Sequence, residues 1–450
     1  MEHAGNYGFV VDAVMAGWYP LCFMLFMLLP APRAVAAGLV TGFLLLPNVV
    51  YSLPGMPNYD KGLAIVLGVG VAAALCDSAR LLGFRPRWID LPITLLCLAP
   101  FISAVVNGDG AYRGASNAFD LTVRWAIPWL VGRVYFSYFE AQKHLLLAVI
   151  VGALVYVPFA LWEIKMSPQL HREFYGVMLR SFKHARRAFG LWRPNVFVSH
   201  GLAYALFNAL AALSAFWLWH TRSVRRVWGF PMGLAVAVLF GITLLAQSSN
   251  AILLLGLGVG LLLLGARHRV ALPMVVLLLL PPIYVTVRQG LRWDGEQLVE
   301  LAETVFGHKR AISLNVRIEA EKFLADRIVE RPWFGYDDFK EFTGNKGRET
   351  EESPVLVDSR WILYLGLYGV FALVGLWGMQ LLPPYFLWRN LPPGGWSHPA
   401  MAAATAIAVA SLLITLDGLL NAFEIQAFTA GAGGVAQLLG TKEGRRLWQA

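Results

Sequence analysis

Residues 270–285, VALPMVVLLLLPPIYV, and residues 360–382, RWILYLGLYGVFALVGLWGMQLL, are apolar runs on either side of a polar segment, residues 286–359. We call this polar segment the insert. Apolar runs of about 20 residues with few charges are typical of helices that cross a lipid bilayer. A polytopic membrane protein that keeps one extended polar segment generally uses it for chemistry or recognition. The contents of the insert therefore bear on whether the chain is an enzyme or a transporter.

The rest of the chain continues the same apolar pattern. Hydrophobic residues make up 57% of the 450 residues and charged residues 14%, whereas about 25% charged is ordinary for a soluble domain. We predict an all-α fold, a polytopic transmembrane helical bundle of 12 to 13 spans with one large external helical loop. The predicted spans are 11–29, 34–51, 62–76, 91–106, 119–136, 144–162, 196–219, 229–246, 251–265, 270–285, 360–382, 399–418 and 421–439. The predicted units are residues 1–285 with transmembrane helices 1–10, the insert 286–359, and the C-terminal transmembrane helices 360–450.

The basic residues predict an orientation. Most Lys and Arg of the short loops fall on one side of the predicted bundle, and the positive-inside rule makes that side cytoplasmic. The C-terminus is then cytoplasmic, and the insert is external. The net charge of +9 is explained by these loops, whereas nucleic-acid binding would need a basic face on a soluble domain. The three cysteines show no metal-binding or disulfide spacing, so we expect no metal and no cofactor.

Residues 163–195, which we call the basic loop, are an exception to this charge pattern. The loop is predicted to be external, yet it contains seven basic residues against Glu163 and Glu173. These basic residues are Lys165, Arg172, Arg180, Lys183, Arg186, Arg187 and Arg193. Basic residues are disfavoured on the external side, so their excess here predicts an anionic ligand.

The end of the basic loop, from Arg186 to Asn195, leads directly into an apolar run. Pro194 and Asn195 predict the start of a helix, whose free N–H groups and positive dipole end would lie beside Arg187 and Arg193. Such an arrangement can hold a phosphate. The alternative is a solvated basic loop that contacts lipid headgroups.

The insert has its own helical pattern. Apolar residues recur at helical spacing in residues 297–306 and 314–328, and Pro and Gly in the run 331–335, RPWFG, predict the end of the second helix. The insert contains 11 Lys or Arg and 15 Asp or Glu, so it is net acidic. We predict an amphipathic helical lid on the membrane surface, with the anion site between the lid and the basic loop.

Two pairs of polar residues flank the late spans. Asp358 and Arg360 precede the span 360–382, where a carboxylate can accept a proton and a guanidinium can neutralise an anion. An interfacial ion pair is the alternative. Asp417 and Asn421 are four residues apart on one predicted helical face, where a carboxylate at membrane depth usually faces a cavity. The equally favoured alternative is that Asp417 forms a structural ion pair with an arginine of the insert.

His200 is a weaker candidate for substrate binding. It lies at the start of an apolar run, where a lone histidine is more often a satisfied core residue than a base.

In order along the chain, these residues resemble the O-antigen ligase and O-antigen polymerase superfamily of bacterial surface-polysaccharide enzymes. The resemblance rests on the runs 187–195, 331–335 with the preceding Arg317, 358–369, and 417–421. It covers residues 190–440 in layout and the first 160 residues only as a set of spans.

The resemblance implies a glycosyltransferase of the bacterial inner membrane with its large loop in the periplasm. The donor would be an undecaprenyl-diphosphate-linked glycan, the acceptor another glycan, and the partners membrane lipids and other polysaccharide-assembly proteins. Asp358, Arg360 and Arg187 are then the expected catalytic residues. The expected diphosphate- or substrate-binding residues are Arg193, Arg317, Arg186, His200 and Asp417.

The chain departs from the family pattern at two places. Residues 249–251 are Ser-Asn-Ala where the family often has Ser-Arg-Gly, and Asp358 replaces a histidine. The carboxylate favours a polymerase over a ligase that modifies a lipid A core. A ligase with a lipid A core or a protein as acceptor remains the nearest alternative. A lipid-glycan transporter is the alternative from another class, although the sequence shows no internal repeat and its charges cluster outside the spans.

Overall fold

The structure is a computed structural model that describes residues 7–52, 57–179, 185, 187–344 and 357–441. The all-α prediction is confirmed, because these residues form helices with only two short antiparallel hairpins. The first ten helices are α1 (Phe9–Leu28), α2 (Ala31–Leu45), α3 (Lys61–Cys76), α4 (Ser78–Leu82), α5 (Leu91–Asn107), α6 (Ala111–Leu121), α7 (Ile127–Tyr135), α8 (Phe139–Met166), α9 (Leu170–Tyr175) and α10 (Gly201–His220). The others are α11 (Met232–Leu245), α12 (Ser249–His268), α13 (Leu272–Gly290), α14 (Glu296–Phe306), α15 (His308–Glu330), α16 (Phe339–Phe342), α17 (Arg360–Asn390), α18 (Ala402–Asp417) and α19 (Gln426–Gly440).

Short elements join these helices. A π-helical turn, Thr122–Ala126, links α6 to α7. The strands are β1 (Val50–Tyr51), β2 (Tyr59–Asp60), β3 (Arg226–Val227) and β4 (Phe230–Pro231). In the two hairpins Val50 is opposite Asp60, and Arg226 is opposite Pro231.

Seven helical segments of the described chain are long and apolar enough to cross a membrane, as expected for a multi-pass membrane protein. They are α1, the segment Trp88–Asn107 that contains α5, α8, α10, α12, α13 and α17. Shorter apolar helices are α2, α3, α11 and α18. Each predicted span overlaps a helix, the span 421–439 overlapping α19. The total of 12 to 13 spans stays a prediction, because several of these helices are shorter than a bilayer crossing.

The core of the bundle is formed by α10, α18 and α19, which are buried along nearly their whole length. Helix α10 packs against α8, α11, α12 and α18, and α19 packs against α7 and α17. Small residues allow this close approach, as is usual for helices that associate in lipid. At Gly132 of α7, a Cβ would lie only 1.8 Å from the Ala430 carbonyl oxygen of α19.

Helix α17 is interrupted at Gly369, whose φ of 76° is not helical. The segment 331–338 of the insert fills this interruption. The amides of Tyr336 and Asp337 donate to the carbonyls of Gly366 and Leu367 at 2.9 and 2.8 Å. In return, the Val370 amide donates to the carbonyl of Pro332 at 2.9 Å. The backbone groups freed by the interruption therefore bond to the insert.

The insert also docks where α13 ends and α17 begins. Glu321 of α15 is buried and accepts hydrogen bonds from Tyr284 at 2.8 Å and from Ser359 at 2.6 Å, with Arg288 at 3.5 Å. Burial raises the pKa of Glu321, and these partners partly offset that effect. We call this end of the bundle, where α17 begins at Arg360, the lid end. The end where α17 finishes at Asn390 is the opposite end.

Candidate functional site

Arg360 is the first residue of α17 and is only 2% exposed. Its amide donates to Gly418 at 2.9 Å, which ties the start of α17 to the end of α18. Its guanidinium donates through Nη2 to the Phe423 carbonyl and lies 5.5 Å from the ring of Trp125. Nε and Nη1 are buried and have no hydrogen-bond partner among the described residues. A buried cation is thus held with unused donors.

Asp417 ends α18 and is 1% exposed. Its Oδ1 accepts from Asn421 at 2.8 Å and from Asn250 at 2.6 Å, whereas its Oδ2 has no partner in the described part of the chain. Asp417 interacts electrostatically with both Arg360 and Arg317. The family resemblance predicts an arginine at position 250. Because this chain has Asn250 there, the group that donates to the Asp417 carboxylate is a neutral amide.

His200 lies beside this pair but has a structural role of its own. It is the N-cap of α10, and its Nδ1 accepts the amide N–H of Leu202 at 3.0 Å. Its ring stacks on Phe423 with the ring centroids 5.7 Å apart. Because Phe423 bonds to Arg360 through its carbonyl, His200 supports the segment that holds the arginine.

Arg193 approaches the same region from the basic loop. It is 6% exposed and its Nη2 donates to the Gln247 carbonyl at 3.1 Å. Its aliphatic stem lies against Gly201, where a Cβ would fall 2.7 Å from Arg193 Cγ. Gln247 precedes α12, the helix that also provides Asn250.

The prediction of a helix start at Pro194 and Asn195 is wrong, because α10 begins at Gly201. The physical reason is Glu163, which is fully buried at the end of α8. Its carboxylate accepts the amides of Asn195 and Val196 at 2.7 Å each, and that of Leu170 at 3.0 Å. The protein's own carboxylate thus occupies the N–H groups that were expected to hold a phosphate.

Asp358 and Arg317 form an ion pair at the rim of the lid end, with Oδ2 and Nη2 separated by 3.4 Å. The side chain of Asp358 is 33% exposed and that of Arg317 is 19% exposed. Asp358 precedes Arg360 by two residues, so the pair lies next to the buried cation. Arg317 therefore links the insert to Asp358 by an ion pair, and its charge also acts on Asp417 at longer range.

Arg124 belongs to a second ionic cluster that sequence reasoning missed. It contacts Asp60 at 2.5 Å, Asp120 at 2.8 Å and Glu424 at 3.8 Å. Three carboxylates around one guanidinium leave no surplus positive charge, so this cluster is not an anion site. Asp60 and Arg124 lie far apart in the sequence, and no local motif could have indicated the cluster.

The remaining predicted residues lie in the basic loop. Arg187 is half-buried in a turn in which its amide donates to the Leu191 carbonyl at 2.8 Å. Arg186 lies outside the described residues. The structure therefore brings together Arg360, Asp417, Arg317 and Asp358, with His200 and Arg193 as neighbours. Among the described residues, no group of three or more His, Cys, Asp or Glu side chains is placed to hold a metal ion.

The sequence matches no protein-family model and no curated protein. The resemblance to the O-antigen ligase and polymerase superfamily thus stays a prediction.

The basic loop contains a buried histidine, His171, which is 3% exposed. His171 Nε2 accepts the Asn48 amide at 3.0 Å, and Nδ1 bonds to the Val177 carbonyl at 2.7 Å. Nδ1 therefore carries the proton of the neutral ring. Burial lowers the pKa of His171 to about 4, below the ordinary value of 6.5.

We expect the basic loop to lose stability as the pH falls from 6.5 towards 4. Between pH 6.5 and pH 4, His171 takes up a proton in the opened loop but stays neutral in the folded loop. Hydrogen exchange of residues 167–177 should be slow at pH 7.5 and faster at pH 4.5, after correction for intrinsic exchange. His171→Gln, which offers both an acceptor and a donor without titrating, should remove most of the difference. An equal pH response in this variant would contradict the assignment.

Proposed function

We propose that the chain is a membrane glycosyltransferase that transfers or polymerises an undecaprenyl-diphosphate-linked glycan in surface or exopolysaccharide biosynthesis. The observation that carries the proposal is the buried guanidinium of Arg360 with two nitrogens unpartnered among the described residues. Burial of a charged group is costly unless that group is paired and hydrogen-bonded. A diphosphate would supply the missing oxygen acceptors.

The neighbours of Arg360 suit this ligand. Arg317 is the second cation within reach of the site, since it interacts with Asp417 and pairs with Asp358. Together the two arginines can neutralise the charge that develops on a leaving diphosphate without a metal. Arg193 and His200 support the residues that surround the proposed diphosphate site. Asp417 is a positioning residue, because its charge attracts Arg360 while its amide partners fix its carboxylate.

The proposed reaction is a single group transfer. A hydroxyl of the acceptor attacks the anomeric carbon of the donor, a C–O bond forms, and the bond between that carbon and the diphosphate oxygen breaks. Undecaprenyl diphosphate leaves with the bonding electron pair. Asp358 is the proposed base that takes the hydroxyl proton, because it is a half-buried carboxylate two residues before Arg360 in the chain. Arg317 can then shift from Asp358 to the diphosphate.

The orientation is part of the proposal. The lid end would face the periplasm, and the opposite end, with the C-terminus, would face the cytoplasm of a bacterial inner membrane. The charge distribution supports this orientation. The lipid part of the donor would lie between helices, and its glycan would lie beneath the insert.

Reconstitution tests the proposed reaction. The purified protein in proteoliposomes, supplied with an undecaprenyl-diphosphate-linked oligosaccharide, should produce a ladder of longer glycans on a gel. EDTA should leave the rate unchanged, since arginines replace a metal. The identity of the acceptor that receives the glycan distinguishes a polymerase from a ligase. A ligase transfers the glycan only to a lipid A core or to a protein. Absence of transfer to every acceptor, or its loss in EDTA, would contradict the proposal.

A transporter is the second candidate, and the interruption of α17 at Gly369 is the observation that favours it. Transporters often bind substrate at such broken helices. Here the freed carbonyls of Gly366 and Leu367 bond to the insert instead. Movement of an intact lipid-linked glycan across proteoliposomes, without any change in glycan length, would support this candidate.

A further inference from the structure

Asp60, Asp120, Arg124 and Glu424, which we call the Arg124 cluster, leave polar groups open beside the proposed transfer site. Arg124 lies in the π-helical turn Thr122–Ala126, and such turns are frequent at functional sites. It donates to Asp120 through Nε and to Asp60 through Nη2. Its Nη1 donates to none of the described residues, since Glu424 Oε2 is 3.8 Å away, beyond hydrogen-bond distance. The Glu424 carboxylate likewise accepts no hydrogen bond within the described chain.

The amide of Gln426 points into this cluster. Gln426 is the first residue of α19 and is only 4% exposed. A Cβ at Gly62 would lie 3.0 Å from Arg124 Nη1 and 3.6 Å from Gln426 Nε2, so these two atoms converge on one place. The same Cβ would lie 3.3 Å from Asp60 Oδ1. Gln426 Oε1 is buried without a hydrogen-bond partner among the described residues. An amide buried in this way is costly unless a ligand or water bonds to it.

The Arg124 cluster is reachable from outside the bundle and suits an uncharged ligand. The exposed fractions of its side chains lie between 20% for Arg124 and 32% for Asp120. Three carboxylates around one guanidinium disfavour a bound anion. Among the described residues, these carboxylates form no group that could hold a metal ion.

Hydroxyl groups match the open atoms of the site. Arg124 Nη1 is a donor, the Glu424 carboxylate is an acceptor, and the Gln426 amide is both. A hydroxyl has one donor and two acceptor lone pairs, so a single hydroxyl can bond to Arg124 and Glu424 together. Neighbouring hydroxyls on one ligand would reach the amide as well. A sugar has this chemistry.

The Arg124 cluster adjoins Arg360. Trp125 follows Arg124 in the chain, and the centre of its ring lies 5.5 Å from the Arg360 guanidinium. Phe423 precedes Glu424, and its carbonyl accepts from Arg360. The charges of Glu424 and Arg360 also act on each other. Because Cα atoms of consecutive residues are about 3.8 Å apart, a ligand in the cluster lies close to the proposed diphosphate site.

We propose that the Arg124 cluster, with Gln426, is the acceptor subsite of the transferase and binds hydroxyl groups of an uncharged acceptor sugar. This assignment rests on the proposed function, which supplies the ligand. Arg124, Glu424 and Gln426 bind the sugar, while Asp358 stays the proposed base. The net negative charge of the cluster favours uncharged sugars over uronic acids.

The test measures the KM for the acceptor on the full-length protein in proteoliposomes. The undecaprenyl-diphosphate-linked oligosaccharide is the donor at saturating concentration. The same oligosaccharide, released from its lipid and labelled with a fluorophore, is the acceptor at varied concentration. Glu424→Gln should raise the acceptor KM about tenfold, the effect of losing one hydrogen bond to a charged group. The donor KM and kcat should change little, because only acceptor binding is weakened.

Gln426→Met separates ligand binding from a structural role. Methionine is similar in length but has no amide, so the unpartnered buried oxygen is removed. Thermal unfolding should occur at the same or a higher temperature than in wild type, whereas the acceptor KM should rise. A lower unfolding temperature with an unchanged KM would give Gln426 a structural role and overturn the proposal.

Glu300→Gln is the matched control, because Glu300 is an exposed carboxylate of α14 in the insert. It should keep the wild-type KM for the acceptor, and an equal rise in this variant would overturn the subsite. Absence of transfer by wild type to any acceptor refutes the proposed function and the subsite with it. Transfer by wild type with an unchanged acceptor KM in Glu424→Gln and Gln426→Met refutes the subsite alone. Transfer only to a lipid A core or a protein also refutes the subsite alone.

Discussion

Arg360→Gln should reduce glycan transfer by about 10²- to 10³-fold, which is the usual effect of removing one preorganised donor from a developing negative charge. The reason is the burial of Arg360 and its two nitrogens without partners among the described residues. The loss should appear in the rate and in the apparent affinity for the lipid-linked donor. Initial rates at several donor concentrations measure both. Arg360→Lys should recover only part of the activity, because the ammonium group of lysine does not replace the paired N–H donors of a planar guanidinium.

Controls separate this effect from misfolding. Arg389→Gln changes an exposed arginine at the far end of the same helix and should keep wild-type activity. Arg360→Gln removes the stronger of the two positive charges that act on the Asp417 carboxylate, so some stability should be lost. The double variant Arg360→Gln/Asp417→Asn removes both charges and should regain that stability without regaining activity. Wild-type transfer by correctly inserted Arg360→Gln would refute the role of Arg360.

Gly369→Ala should detach the insert from the bundle and destabilise the lid end by about 3 kcal/mol or more. The φ of 76° and ψ of −172° at Gly369 lie in a region that is essentially restricted to glycine, so a residue with a Cβ is disfavoured there by roughly 1–3 kcal/mol. A Cβ there would also lie 2.0 Å from the Trp333 carbonyl oxygen, and such overpacking adds about 1–3 kcal/mol. Limited trypsin digestion should therefore cut after Arg327 faster than in wild type.

Gly256→Ala provides the matched glycine control, because a Cβ at Gly256 in α12 would have no atom within 4 Å among the described residues. This variant should keep the wild-type cleavage pattern. If Gly369→Ala also keeps that pattern, segment 331–338 does not depend on the interruption of α17 for its docking.

Sequence periodicity and composition were sufficient to predict the helices but not their interruptions. The predicted helix 297–306 of the insert coincides with α14 within one residue, and the predicted helix 314–328 lies within α15, which begins earlier, at His308. The interruption at Gly369 could not be predicted, because glycines are common in membrane helices and only the docked segment 331–338 shows which one breaks the helix. The position of Gly335 against Leu367 likewise depends on tertiary contact.

The candidate site was predicted in part. Asp358, Arg360 and Asp417 stand out because charges at the edge of a membrane helix are costly. The start of α10 was misplaced because Pro194 and Asn195 are good helix-start residues locally, whereas Glu163 takes their amides from another helix. Local sequence carries no information about a partner 32 residues away.

Photo-crosslinking with undecaprenyl diphosphate tests the central claim most directly, because it locates the diphosphate without requiring turnover. A reactive group on the first isoprene unit should label peptides that contain Arg360 or the segment 417–424. Labelling should fall at least about tenfold in Arg360→Gln and stay unchanged in Arg389→Gln. Labelling confined to the opposite end, or equal labelling of wild type and Arg360→Gln, would contradict a diphosphate site at the lid end.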